Sequence, residues 1–468
     1  LGQRYLLNVI EQNSTPKDYV DSISKNFQNL LPVLGVNNND FIRTTDQAHI
    51  SVVESILSKI YDAGDIYFSS YEGLYCFGCE RFYQERELVD GKCPDHGVAP
   101  QTISESNYFF KMSKYQDWLI DHIKNNPGFI HPVQYEKEIL AFLKEPLEDL
   151  CISRPKSRLS WGITLPFDKD YVTYVWFDAL VNYISALAYP DGELFKKFWP
   201  HVRHFVAKDI IKPHGIYWPI MLKAAGIEIY KGLNVHGFWN VKGSKMSKSI
   251  GNVTDPLKLT DTYGQDAFRY FLMREMVFGL DANFTEDILI ARINSDLAND
   301  LGNLFSRVLS MIVKYFKGEV QTTDTEIEQE RQLSLSQDAD TAINEFRQAM
   351  SLCEFHKGVA AIWQFISIMN KYIDRTEPWA LAKNESTRPV LATVLYNLIE
   401  GLRVVSCLIY PIMPGTSDTM QKTLGIVRPD KQFYSLEEIS EWGQIKAGTM
   451  VQTQKALFPR INVGDKVK

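Results

Sequence analysis

The chain is short of several things, and each shortage narrows what it can be. Six cysteines in 468 residues are too few for a disulfide framework and fit a reducing compartment. No apolar run approaches the roughly 20 residues that cross a bilayer, and no secretory leader opens the chain. A surplus of positive charge is missing as well. With a formal net charge of −7, no overall field gathers nucleic acid, so any RNA contact must come from local basic groups. There is no internal repeat and no low-complexity tract. The first residue is Leu1, which runs straight into helix-like sequence, so a missing front segment is expected. What remains is ordinary globular composition, 45% hydrophobic and 23% charged. The length suits about two to four domains.

Ser14-Thr15-Pro16 opens a helix, Phe41-Ile42-Arg43 reads as a short strand, and Ile50 to Ile60 as an amphipathic helix stopped near Gly64. From Tyr67 to Pro132 short aromatic strands and a Cys-rich hairpin read as an insertion. Parallel α/β character then returns. The apolar run from Val172 to Phe177 reads as a strand carrying Trp176, with a helix to Leu187 after it. A strand at His204, a helix from His214 to Ala224 and an extended segment from Tyr230 to Phe238 follow. Strands end near residue 285, beyond which helical spacing dominates, as at Ile343, Phe346, Met350 and Cys353. The expected fold is α/β, a Rossmann-type doubly wound parallel sheet split by an insertion, followed by an all-α helix bundle.

Three constellations carry chemistry. Gly243 to Asn252 is a loop with glycines near both ends and two ammonium groups, Lys245 and Lys248, three residues apart. Mobile point charges so placed can meet a triphosphate from one side, with hydroxyls between them donating further bonds. Cys76-Phe-Gly-Cys79 and Cys93-Pro-Asp-His96 are two pairs separated by 13 residues, the spacing of a tetrahedral zinc site. Four protein ligands would leave no open position, so such a metal is structural; Asp95 competes with His96 for the fourth place. Asn299, Asn303 and Arg307 are four apart and share one helix face, where amides and a guanidinium suit unstacked bases and phosphates.

Lys245-Met246-Ser247-Lys248-Ser249, preceded by Val235-His236-Gly237 and followed by Asp255-Pro256, resembles the signature of the class I aminoacyl-tRNA synthetases. The segments Tyr174 to Tyr183 and Phe205 to Trp218 resemble, within that class, the methionyl-tRNA synthetase family. The resemblance implies activation of methionine with ATP and Mg2+, transfer to tRNA(Met), and one structural zinc. It implies a methionine pocket of Trp176, Ala179, Leu180, Tyr183, Ile210, His214 and Trp218. Tyr183 and His214 are then the hydrogen donors on offer to the thioether. ATP falls to Asp209, Val235, His236, Gly237 and the loop Lys245, Met246, Ser247, Lys248 and Ser249. Pro378-Trp379 would join Asn299, Asn303 and Arg307 in reading the anticodon.

The corresponding domains are 1–66 and 133–230 for the two halves of the Rossmann core and 67–132 for the zinc-knuckle insertion. Residues 231–285 form the signature-loop region and 286–468 the anticodon-binding bundle. A cytoplasmic monomer is expected. None of the nine histidines fits the class's His-x-Gly-His element; His201-Val-Arg-His204 has the spacing but Arg in place of the glycine. Gly2-Gln3-Arg4 resembles the end of the family's Thr-Asp-Glu-His-Gly-Gln segment, which places that element upstream. The competing readings are a catalytically inactive tRNA-binding protein, and a synthetase for cysteine or an aliphatic residue. Residues 67–132 are too short for an editing domain, and the pocket segments lack a cysteine ligand.

Overall fold

A computed structural model describes residues 15–76, 81–83, 85–94, 96–241, 244–245, 254–426, 434–452 and 455–462. The chain divides into two compact units, Leu1–Pro32 with Val36–His236, and Val33–Gly35 with Gly237–Lys468.

The first unit opens with helices α1 (Pro16–Val33) and α2 (Gln47–Asp62). The stretch Phe41–Arg43, expected as a strand, has no ladder: the amides of Phe41 and Arg43 bond instead to the Asp40 and Asp46 carboxylates. Strand β1 (Ile66–Cys76) pairs antiparallel with β2 (Arg81–Tyr83) and along its length with β3 (Gln101–Phe110), from Ile66↔Phe110 to Tyr75↔Gln101. This ribbon lifts Cys76 to its tip. Helix α3 (Gln116–Asn125) follows, then β4 (Ile130–His131), α4 (Val133–Phe142) and β5 (Leu150–Cys151), which extends the ribbon sheet beside β3. Strands β6 (Ser153–Pro155), β7 (Thr164–Leu165) and β8 (Asp168–Thr173) form a separate antiparallel sheet in the order β6-β8-β7.

The apolar run that reads as a strand through Phe177 leaves the sheet at Thr173. Helix α5 (Val175–Leu180) begins there and carries Trp176, and α6 (Asn182–Ser185) follows. A continuous apolar run reports burial on all sides, not backbone type, which is why it reads equally well as strand or helix. Helix α7 (Glu193–Phe198) leads to β9 (Arg203–Ala207), a π-helical turn Pro213–Tyr217, α8 (Trp218–Ala224) and β10 (Gly232–His236). The parallel sheet runs β4-β10-β9 among the described residues. Ile130–His131 thus belongs to it, although the sequence puts these residues at the end of the insertion. The core gathers Val53, Ile56, Leu57 and Ile60 of α2 with Phe177, Trp199, Trp218 and Val235.

The second unit carries β11 (Trp239–Val241), β12 (Ser244–Lys245) and β13 (Ala282–Phe284), with β11 central, and is otherwise helical. Its Gly237 is obligatory for a steric reason: a Cβ there would stand 2.2 Å from the Leu280 carbonyl oxygen. Helices α9 (Pro256–Tyr263), α10 (Gln265–Glu275) and α11 (Glu286–Arg292) run into a π-helix, Ile293–Gly302, and on into α12 (Asn303–Phe316). The wider π turn is braced by Trp363, whose indole N–H donates to the Asp296 carbonyl at 3.2 Å. Helices α13 (Thr325–Glu330), α14 (Ser336–Ser351), α15 (Phe355–Thr376) and α16 (Pro378–Leu381) precede α17 (Arg388–Leu408), α18 (Pro414–Thr423) and α19 (Leu436–Ser440).

By length and composition one helix among the described residues, Glu385–Leu408, could cross a bilayer, contrary to the expectation of no such run. Its most apolar window is 89% buried inside the protein, as befits the central helix of a bundle. Two charges within it are matched. Arg403 Nε donates to Glu400 at 2.7 Å, and both side chains are buried. Glu400 also accepts the amides of Gly443, Gln444 and Ile445 at 3.0–3.1 Å, while Arg403 donates to the carbonyls of Ile439 and Glu441.

Candidate active site and tRNA-reading face

Parallel strands deliver ligands to their carboxyl ends. Here β9 and β10 run in register, with Val235 beside Val206 and His236 beside Ala207. Asp209 emerges two residues past the end of β9, exposed, next to the strand end that carries Val235 and His236. Three of the expected nucleotide residues of the first unit therefore meet at one sheet edge.

Beside that edge the side chains expected in the methionine pocket come together. Tyr183 Oη lies 2.8 Å from His214 Nε2, and His214 Nδ1 lies 2.8 Å from the Ile210 carbonyl. The carbonyl can only accept, so Nδ1 bears the hydrogen and Nε2 accepts from Tyr183. Both hydrogens expected at the thioether are thus already engaged. Trp176 meets the His214 ring edge-on at 6.1 Å, and Tyr183 lies 6.3 Å from Trp218. Trp176, Ala179, Tyr183 and Ile210 are half-buried, whereas Leu180 and Trp218 are 1% exposed.

Two members of this cluster carry no signal in the sequence. The Trp218 indole N–H donates to His204 Nε2 at 3.2 Å, and the His204 ring lies tilted against Tyr183, 4.0 Å between centroids. Tyr230 Oη donates to the His214 carbonyl at 2.7 Å. Burial first, and the neighbouring His214 second, push the His204 pKa down to about 3; burial also lowers that of His214 and raises the Tyr183 hydroxyl to about 12. The cluster is therefore neutral at physiological pH, as an apolar thioether requires. On the opposite side of α5, Asp178 opens on a cavity of about 430 Å³ that Arg43, Arg154 and Trp161 also line.

The ribbon tip holds a second grouping. Cys76 Sγ and Cys93 Sγ stand 4.0 and 3.7 Å from His96 Nδ1, and all three ligand atoms lie within 4.8 Å of one another. Bonds of about 2.3 Å to sulfur and 2.0 Å to nitrogen put tetrahedral ligands roughly 3.5–3.8 Å apart, so the grouping fits zinc. Cys79 and Asp95 lie outside the described residues, as do Met246 to Ser249; Lys245 is described in its backbone alone, on β12.

In the second unit Asn299, Asn303 and Arg307 are all exposed on one face, and Asn303 Nδ2 donates to Asn299 Oδ1 at 3.2 Å. Arg307 reaches Asp374 at 3.3 Å, near the end of the helix that precedes Pro378. Pro378 is buried and Trp379 is 43% exposed, an aromatic face held out by a buried proline.

The family model for class I tRNA synthetases (M) matches residues 1–102 and 96–309, and that for the anticodon binding domain of methionyl tRNA ligase matches 322–467. The methionine–tRNA ligase of Caldanaerobacter subterraneus subsp. tengcongensis is 45% identical over 465 residues, 99% of this chain and 72% of that protein. The Clostridium acetobutylicum ligase is 45% identical over 475 residues, 100% of this chain and 72% of that protein. Mycobacterium tuberculosis methionyl-tRNA synthetase bound by methionyl-adenylate superposes with a TM-score of 0.90 at 34% identity, over 98% of this chain and 90% of that one. The chain belongs to the methionyl-tRNA synthetase family of class I, ligases that activate methionine with ATP and charge tRNA with it, built from an α/β catalytic domain and a helical anticodon-binding domain.

Proposed function

We propose that Trp176, Ala179, Tyr183, Ile210 and His214 receive the methionine side chain, with Leu180 and Trp218 as the wall behind them. The observation that carries this is a neutral aromatic cluster of buried and half-buried side chains beside the carboxyl ends of β9 and β10. ATP, with its Mg2+ as part of the substrate, lies along that edge on Asp209, Val235, His236 and Gly237. Lys245 and Lys248, with Met246, Ser247 and Ser249 around them, meet its polyphosphate. The methionine carboxylate attacks the α-phosphorus, pyrophosphate leaves, and the tRNA 3′ end then takes the methionyl group from AMP. No covalent enzyme intermediate is needed; alignment and charge stabilisation carry the rate.

Cys76, Cys79, Cys93 and His96 hold one structural zinc at the tip of the ribbon, within an insertion that begins near residue 67 and interrupts the catalytic core, which resumes by Ile130, where β4 pairs with β10. Residues 231–285 carry the signature loop. Asn299, Asn303, Arg307, Pro378 and Trp379 read the anticodon from the bundle of 286–468. The cytoplasm, where free thiols persist, is the compartment we assign.

The test is a split between binding and chemistry. Lys245→Ala and Lys248→Ala slow adenylate formation and leave methionine binding near wild type, because their charges act as pyrophosphate departs. Trp176→Ala does the reverse. Lysine variants that bind methionine poorly but turn over normally would overturn the phosphate role.

A further inference from the structure

Helix α2 presents an apolar stripe of Val53, Ile56, Leu57 and Ile60 to the core, and His49 continues that stripe one turn earlier. His49 is 0% exposed, and an apolar residue there would avoid burying two ring nitrogens. Both nitrogens are spent on one region. His49 Nε2 lies 2.8 Å from Asp178 Oδ1 on α5, and Nδ1 lies 2.8 Å from Ser185 Oγ on α6. A carboxylate only accepts, so the hydrogen on Nε2 points at Asp178.

Those two helices carry four of the residues assigned above to the pocket, Trp176, Ala179, Leu180 and Tyr183. They have six and four residues, far too few to hold a direction by themselves, so tertiary ties must set it. The positions gripped are telling. Asp178 is two residues after Trp176, and Ser185 is two after Tyr183; at about 100° per residue each pair projects from opposite sides of its helix. His49 therefore holds both helices from behind, leaving their other faces to the ligand.

We propose that His49 is a positioning residue for methionine binding, a single side chain that locks α5 and α6 at the angle where Trp176 and Tyr183 form one wall. The proposal rests on the pocket reading above.

The experiment measures methionine Kd by calorimetry, and the KM values for methionine and ATP by pyrophosphate exchange, in the full-length enzyme. His49→Leu keeps the core volume and removes both bonds; His49→Gln keeps a donor at the Nε2 position. Loss of a charge-assisted bond predicts methionine Kd raised about tenfold in His49→Leu, restored to within about twofold in His49→Gln, with the ATP KM unchanged in both. Ser185→Ala, which drops one bond and disturbs packing least, should raise Kd in the same direction and stands in if His49→Leu does not fold. Trp176→Ala separates the two claims. If it raises Kd while His49→Leu and Ser185→Ala change only the melting temperature, the clamp is overturned and the pocket stands. Methionine and ATP constants rising together in the His49 variants would also overturn it. If Trp176→Ala leaves Kd unchanged, the pocket itself is misplaced and the clamp falls with it.

Discussion

Tyr183 gives its only hydrogen to His214, across 2.8 Å, while His214 gives its own to the Ile210 carbonyl. The chain of donors runs in one direction and ends on backbone. A thioether sulfur, a weak acceptor, must compete with an imidazole nitrogen for the Tyr183 hydrogen.

Tyr183→Phe follows from that competition. It leaves His214 Nε2 without its donor in a buried site, at a cost of about 1–3 kcal/mol to folding. Methionine affinity should change by less than about fivefold, because what the sulfur loses the imidazole had already claimed. Denaturation and calorimetry on the variant check both halves. Unchanged stability with a hundredfold loss of affinity would mean the hydroxyl serves the substrate alone.

Acid should loosen the same cluster. The His204 pKa is about 3 folded against an ordinary 6.5, through burial and then the His214 charge. The unfolded chain thus binds more protons between those values. His204's contribution to stability is whole above pH 6.5 and is lost as pH falls towards 3, with a slope of up to roughly 1.4 kcal/mol per pH unit for one group. His214, also lowered by burial, steepens it. Urea denaturation of the wild type at pH 7.5, 6 and 5 should show the decline, and His204→Gln should flatten it. Parallel slopes in the two proteins would refute the assignment.

How much of this was legible in the sequence differs by kind of signal. Local patterns were: the strand at His204 to Ala207 and the helix at Ile50 to Ile60 stand where periodicity puts them, and Cys76, Cys93 and His96 stand together. Signals that depend on distant partners were not. His49 finds Asp178 and Ser185 at separations of 129 and 136 residues, and nothing near His49 marks it off from a core histidine. Beyond its strand, His204 shows in the sequence as half of an unfit His-x-x-His, whereas its side-chain partners are Trp218 and Tyr183. Trp176 was expected on a strand, and the helix it occupies is too short to show a period.

One zinc per chain is expected from elemental analysis of protein purified without added metal. Cys76 and Cys93 are buried beside His96, and Cys76→Ser with Cys93→Ser should abolish retention and unfold the ribbon tip. Zinc that survives the double substitution would rule this ligand set out.

Trp379, half out of the surface on a four-residue helix, has little to do for the fold. Stacking on a splayed base is worth roughly 1–3 kcal/mol, so Trp379→Ala should cut charging of tRNA with the CAU anticodon by about tenfold or more, leaving methionine activation without tRNA intact. Aminoacylation at two salt concentrations, with CAU and altered anticodons, is the measurement. If anticodon preference survives in Trp379→Ala and Asn303→Ala, recognition lies on another face.

The buried pair on α17 sets a limit on how far the helical unit could be shortened. Glu400 and Arg403 hold the stretch from Ile439 to Ile445 entirely by its main chain, the anion taking amides and the cation taking carbonyls. These bonds do not depend on the side chains of the stretch, although Ile439 and Ile445 are themselves buried in the core. A fragment ending before Gly443 would keep α17 intact and yet strip a fully buried carboxylate of all three amide donors. The earliest viable end point for a fragment of this unit therefore lies beyond Ile445, past α19.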